Sequence, residues 1–96
     1  MAAPVRWLKK ALKNLNDELT QIGSDDPKAA RIVLSRIMDA ISLLPTQPSI
    51  GRPGRVPGTR ELLVPHTRYL IPYRYRHNTI EILRVFHASR RPPKRW

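Results

Sequence analysis

The sequence has no cysteine among its 96 residues, which excludes a disulfide framework, a thiolate zinc site and a cysteine nucleophile. No apolar run approaches the roughly 18 residues that a membrane span requires. The opening MAAPVRWLKK also lacks the hydrophobic stretch of a secretory signal. Acidic residues are scarce, since seven Asp and Glu stand against 18 Lys and Arg. We therefore expect a small cytoplasmic domain, 1–96, that has no metal or other cofactor and is held together by packing alone.

The positive charge is concentrated in the second half of the chain. Residues up to Pro48 include 7 basic and 5 acidic side chains, whereas the remainder includes 11 basic and 2 acidic ones, mostly arginines among the basic residues. A dense field of one sign costs self-repulsion and is typical of a surface that meets phosphate or an acidic protein. The alternative is a basic face that is merely solvated.

The first half predicts an antiparallel helix hairpin over residues 7–44. Apolar residues recur at helical spacing from Leu8 to Ile22 and again from Ala30 to Leu44. Gly23 is expected to stop the first helix, and Asp26 with Pro27 to start the second. A basic start also suits an organellar transit peptide, but here the apolar helix face continues through it.

The second half predicts a basic Gly/Pro loop over 45–58 and a β-meander over 59–87. The three strand-like runs are Thr59–Pro65, Tyr69–Arg76 and Thr79–His87. Pro72 cannot donate to a ladder, so a bulge or unpaired stretch is expected there, and Pro4–Trp7 can add a short strand. The expected fold is α+β, with the hairpin packed on a three- to four-stranded antiparallel sheet. Residues 88–96 form a basic tail that is too polar to serve as core.

The side chains of the strands are expected to alternate between a face covered by the helices and an open face. In the middle run, Tyr69, Ile71, Tyr73 and Tyr75 share one face, and Arg74 and Arg76 lie on the other. The arginine face should be the open one. The last run has apolar residues on both faces, which predicts a central strand covered on both sides.

Three blocks in order resemble the RelE/ParE family of toxins from bacterial toxin–antitoxin modules. They are GRPGRVPGTREL at 51–62, YLIPYR at 69–74 and ILRVFHASR at 82–90. The resemblance covers nearly the whole chain and implies a growth-inhibiting toxin that is neutralised by a cognate antitoxin. The family includes ribosome-dependent mRNA endonucleases and proteins that inhibit DNA gyrase by binding, and a shared fold does not decide between them.

Metal-independent RNA cleavage requires a group to take a proton from the ribose 2′-hydroxyl, another to protonate the leaving oxygen, and cations at the phosphorus. His87 is the candidate acid or base because its ordinary pKa lies near neutrality and the resemblance puts a catalytic histidine at this strand end. Arg60, Arg74 and Arg84 are the candidate catalytic cations. His87 and the charge favour the nuclease; a histidine that only caps the strand is the alternative. His66 and His77 are expected in exposed turns.

The RelE-type nucleases carry paired lysines and an arginine where this chain has Glu61, Leu63 and Leu70, so that active site is absent. The histidine-using nuclease and the ParE-like gyrase inhibitor remain open. A third reading is a plain RNA-binding protein, in which Tyr69, Tyr73, Tyr75 and Trp96 stack on bases. A set of exposed cations is expected to bind the partner: Arg52, Arg55, Arg68, Arg76, Arg90, Arg91 and Lys94. The expected partners are an acidic, partly disordered antitoxin and either mRNA on the ribosome or DNA gyrase.

Overall fold

Two helices pack against one face of a six-stranded mixed sheet in the computed structural model, which describes residues 2–96. The expected α+β fold is confirmed. In chain order the elements are β1 (Val5–Trp7), α1 (Lys9–Asp25), α2 (Pro27–Ile41), β2 (Arg52–Pro53), β3 (Arg60–Leu63), β4 (Tyr69–Arg76), β5 (Thr79–Ile82) and β6 (Phe86–His87).

The strands follow the order β1-β5-β4-β3-β2, and β6 pairs with the far end of β4. The meander β3-β4-β5 is antiparallel, as predicted, but β1 runs parallel to β5. Two parallel strands need a long connection between them. The connection from β1 to β5 begins with the two helices. The two-residue strands β2 and β6 are additions to the expected sheet, and they are too short to leave a periodic signal in the sequence.

The helix hairpin differs from the prediction at its turn. Gly23 does not end α1, which continues to Asp25. A Cβ atom at Gly23 would lie 3.5 Å from the Cβ of Ala30, so this glycine lies where the two helices approach each other. Asp26 caps α2 as predicted, because its Oδ1 accepts a hydrogen bond from the N–H of Ala29 at 3.1 Å.

The pairing of β4 with the last run is interrupted beside Pro72, which has no N–H to donate, whereas Pro72 stays paired with Glu61 of β3. On β4, Tyr73 pairs with Ile82 and Leu70 with Phe86. Between these two pairs, the partner run has one more residue than β4. The extra residue therefore lies in the partner run, opposite Pro72, and not in β4 itself. The Leu83 N–H still donates to the carbonyl oxygen of Pro72 at 2.9 Å, which keeps the two runs together.

The two faces of the sheet have different surroundings. Tyr69, Ile71 and Tyr73 of β4 are buried in one core with residues of both helices, including Ala11 and Ile37. We call this side the helix face. Alternation puts Leu70, Pro72, Arg74 and Arg76 on the opposite side, the open face. Glu81 and Leu83 are buried there while Ile80 and Ile82 are buried in the core, so the last run is covered on both sides, as predicted.

Within residues 2–96, no helix combines the length and the apolar character needed to cross a membrane.

Candidate functional site

A groove of about 670 Å³ on the open face gathers the basic side chains. Six cations line it and no acidic residue is among the lining residues. The cations come from three separate parts of the chain: Lys9 and Lys10 from α1, Arg74 and Arg76 from β4, and Arg84 and Arg95 from the segments after β5. Because three separate parts of the chain bring cations to this one groove, it is our candidate functional site.

Backbone and apolar contacts fix the walls of this groove. The N–H of Leu8 donates to the carbonyl oxygen of Ile82 at 3.1 Å, which holds the start of α1 against the end of β5. Residues 56–59 of the Gly/Pro loop line another wall. At the chain end, the indole of Trp96 packs edge-on against Phe86, with ring centroids 5.2 Å apart. The tail therefore contributes Arg95 and Trp96 to the site, although none of its residues belongs to the core.

A row of charged residues crosses three strands on the open face. Glu81 on β5 lies directly opposite Arg6 on β1 and Arg74 on β4. The Nε of Arg74 and the Nε of Arg76 both donate to Oε1 of Glu81, the second at 3.0 Å. The hydrogen bond from Arg74 lowers the pKa of Glu81 below its ordinary value, against the opposing effect of burial. Glu81 thus orients two groove arginines and neutralises part of their charge.

Because the Glu81 pKa is lower in the folded chain than in the unfolded chain, its ion pairs stabilise the fold above the unfolded pKa of about 4.3. That contribution is lost as the pH falls through the folded pKa. We expect the difference in unfolding free energy between wild type and Glu81→Gln to be constant above about pH 5.5 and to shrink steadily below about pH 4.3. Urea denaturation at a series of pH values measures this. A difference that grows on acidification would contradict the assignment, and the exposed Asp17→Asn variant is the control.

A second buried carboxylate fastens the Gly/Pro loop. Glu61 is 1% exposed, and Nη2 atoms of Arg52 and Arg55 each lie 3.3 Å from its Oε1. The backbone N–H of Arg55 donates to its Oε2 at 3.0 Å. Two of the cations expected to bind a partner are therefore also structural, because a buried carboxylate needs their charge.

Arg60 lies at the rim of the helix face, where it holds loop carbonyls. Its Nη1 donates to the carbonyl oxygens of Gly51 at 2.9 Å and Ser49 at 3.3 Å. The same loop contacts Tyr73, whose hydroxyl donates to the carbonyl oxygen of Pro48 and accepts from the N–H of Gly51. Burial raises the pKa of Tyr73 above its ordinary value, so this hydroxyl keeps its proton at neutral pH. Arg60 is not among the groove residues.

His87 lies on the helix face, away from the groove cations. It pairs with Tyr69 across β6 and β4, and the two rings meet edge-on at 5.3 Å. Residues directly opposite each other in an antiparallel pair share a face, and Tyr69 belongs to the core. The Nδ1 of His87 accepts from the N–H of Ser89 at 3.3 Å, and the Ser89 hydroxyl is 2.6 Å away.

Arg90 continues the polar cluster beside His87. Its Nη1 lies 2.9 Å from Oε1 of the buried Glu18 on α1. Burial, and then the negative charge of Glu18, raise the pKa of Tyr69 above its ordinary value. The cluster therefore pins the segment after β6 to the helix hairpin.

The structure thus brings together only part of the sequence-predicted site. Arg74, Arg84 and Arg76 meet in the groove, whereas His87 and Arg60 do not join them. Arg68, Arg91 and Lys94 are exposed and form no ion pair within the described part of the chain. His66 and His77 are exposed in turns, as predicted, and both residues have a positive φ.

Sequence reasoning did not assign Lys9, Lys10 and Arg95 to the site. The two lysines belong to the polar face of α1, and such a face is usually only solvated. The one indication that α1 begins at the sheet is the short strand β1, which directly precedes it. The stacking proposal fails for two of its tyrosines, because Tyr69 and Tyr73 are buried in the core. Tyr75 is 46% exposed and Trp96 is half-buried.

A helix hairpin covers one face of a small sheet, and a cationic groove lies on the other face, which defines a small basic α+β domain. The sequence profile described as "ParE toxin of type II toxin-antitoxin system, parDE" matches residues 5–92. The protein "Putative toxin Y4kP" of Sinorhizobium fredii is 42% identical over 90 residues, which are 94% of this chain and 93% of that protein. The chain belongs to the ParE family of toxins from type II toxin–antitoxin systems.

A solved structure shares this fold. The "Chromosomal ParDE TA system from P. aeruginosa" superposes with a TM-score of 0.83 over 92% of this chain and 98% of that chain, at 24% identity. The resemblance that the three sequence blocks indicated is therefore confirmed at the level of family and fold.

Proposed function

We propose that this toxin inhibits growth by binding DNA gyrase, without cleaving RNA. The observation that carries the proposal is that His87 shares the helix face with Tyr69 and does not line the groove that holds the candidate arginines. An acid or base must lie within hydrogen-bond reach of the proton it transfers, and the cations that stabilise the phosphorus must contact the same substrate. Membership of the ParE family supports the same choice, since inhibition by binding asks nothing of His87.

The composition of the groove supports binding as well. Its ionisable side chains are lysines and arginines, whose ordinary pKa values lie well above neutrality. Among the described residues that line the groove there is no histidine and no carboxylate side chain, the groups that most often transfer protons in catalysis, whereas its cations can hold a negative charge through hydrogen bonds. The groove therefore resembles a docking surface more than a centre for acid–base chemistry.

Induced expression of wild type and His87→Ala, with pulse labelling of protein and DNA synthesis during the first minutes, tests the proposal. We expect DNA synthesis to stop first and His87→Ala to remain as toxic as wild type. The exposed His66→Ala variant is a matched control for the loss of an imidazole. An early arrest of translation that only His87→Ala abolishes would instead establish ribosome-dependent RNA cleavage.

A toxin of this class is paired with an antitoxin. We propose that the antitoxin of this chain is acidic and partly disordered, and that it covers the open face when it folds on binding. Arg52, Arg55 and Arg90 already contact internal carboxylates. The antitoxin's acidic side chains would therefore gain most from the groove cations that have no carboxylate partner.

A further inference from the structure

Four of the six groove cations have no carboxylate partner. Arg74 and Arg76 share Glu81, but Lys9, Lys10, Arg84 and Arg95 take part in no ion pair within residues 2–96. Like charges gathered in one groove repel each other, and a bound polyanion relieves that repulsion. The charge of the groove therefore favours a ligand that has several negative groups over a ligand that has one.

The chain end adds a second observation. Trp96 lines the groove, and its Nε1 atom is buried with no acceptor in the described part of the chain. A buried donor without a partner is costly, and an acceptor supplied by a ligand would remove that cost. Leu8 and Leu83 add apolar side chains to the lining of the same groove. A ligand that bears many acceptor oxygens suits this combination.

The cationic surface extends beyond the groove across the sheet. Arg6, Arg74 and Arg52 lie on β1, β4 and β2, and these strands span the sheet from one edge to the other. Four strand intervals correspond to about 19 Å. Duplex DNA carries one negative charge per roughly 1.7 Å of its axis, so one duplex supplies phosphates to the groove and to the arginines that flank it. An acidic antitoxin that folds over the same face would compete with the duplex for the groove cations.

We propose that the open-face groove binds the phosphate backbone of duplex DNA, with Lys10 and Arg84 as central contacts. The proposal rests on the proposed function in one respect: it means that the toxin meets gyrase together with the DNA that gyrase holds. DNA binding itself is a property of this chain alone and is measured without gyrase. The arginine forks would pair with phosphate oxygens and carry no sequence preference.

The test is the binding of a fluorescein-labelled 30-base-pair duplex to the full-length chain, followed by anisotropy over a range of salt concentrations. The groove variant is Lys10→Gln with Arg84→Gln. Lys28→Gln with Arg31→Gln on α2 is the control, since both are exposed, unpaired among the described residues and lose the same charge. We expect the groove variant to bind roughly tenfold more weakly and its salt slope to fall by about 0.9 for each phosphate that it no longer neutralises, whereas the control should change little.

Equal weakening in both variants, or tighter binding of a poly-glutamate peptide than of the duplex, would overturn the proposal. A supercoiling assay with purified gyrase separates it from the proposed function. If wild type and the groove variant inhibit gyrase equally, gyrase inhibition stands and the claim that the toxin meets gyrase through this DNA contact is wrong. If the duplex binds as expected but gyrase is not inhibited, the groove proposal stands and the proposed target is wrong.

Discussion

Reversing two groove charges at once, Lys10→Glu with Arg84→Glu, should restore growth to cells that express the toxin. Both side chains line the groove and neither contacts a carboxylate among residues 2–96. The fold therefore loses no ion pair, while the target meets two carboxylates where it had met two cations. A like-charge contact across an interface costs several kcal/mol, so we expect plating efficiency to recover by a factor on the order of a hundred.

The control is the same reversal on the other side of the molecule, Lys28→Glu with Arg31→Glu on α2. It changes the net charge equally and leaves the groove untouched, so its toxicity should match wild type at equal soluble expression. Recovery with both variants would mean that net charge alone governs toxicity and that the groove has no special role. Continued toxicity of the groove reversal, with its soluble level verified, would remove the groove from the target interface.

Arg74→Glu, which the sequence alone suggests as a test of target binding, is less informative. Arg74 lies directly opposite Glu81 and donates to it. A glutamate there would face the buried carboxylate of Glu81 across the ladder, and like charges directly opposite each other destabilise a sheet. Loss of toxicity could then follow from loss of fold, which is why Arg84 is the better position.

The helices and the central meander were predictable because their patterns are long. The apolar positions of α1 and α2 recur over several turns, and β4 is an eight-residue run rich in aromatic and aliphatic residues. The end of α1 was not predictable, because Gly23 resembles a helix stop signal until its contact with Ala30 is known. The extra residue opposite Pro72 was also beyond prediction, since register depends on the partner strand and not on the run that contains the proline.

The candidate site was predictable in charge and only partly in membership. Arginine enrichment after Pro48 indicated a basic surface, and alternation put Arg74 and Arg76 on its open side. The two faces of the sheet could not be told apart at His87, because β6 has only two residues. The pairing of Tyr69 with His87 decides the face, and a pairing is a property of the tertiary structure. Lys9 and Lys10 were not assigned to the site for the same reason, because the sequence of α1 does not show which part of the sheet the helix begins beside.

Tyr73→Ala should be the most destabilising single change in the chain. The side chain is fully buried, and its hydroxyl donates to the carbonyl oxygen of Pro48 at 2.7 Å and accepts from the N–H of Gly51 at 2.9 Å. Removing a buried aromatic ring costs about 3–5 kcal/mol, out of roughly 5–14 kcal/mol expected for a chain of this size. Tyr73→Phe keeps the ring and removes the hydroxyl, and should cost about 1–3 kcal/mol. Urea denaturation measures both.

Gly51→Ala disturbs the same contact from the loop. An added Cβ would lie 2.6 Å from Cε1 of Tyr73, a ring that the core holds in place, so we expect a loss of about 1–3 kcal/mol. Gly23→Ala is the matched control, because its Cβ would meet only Ala30, at 3.5 Å. Alanine is also more favourable than glycine inside a helix, by about 0.5–1 kcal/mol. If Gly51→Ala were as stable as Gly23→Ala, the loop would be free to move away from Tyr73. The hydroxyl would then not hold the loop, and Tyr73→Phe should cost nothing.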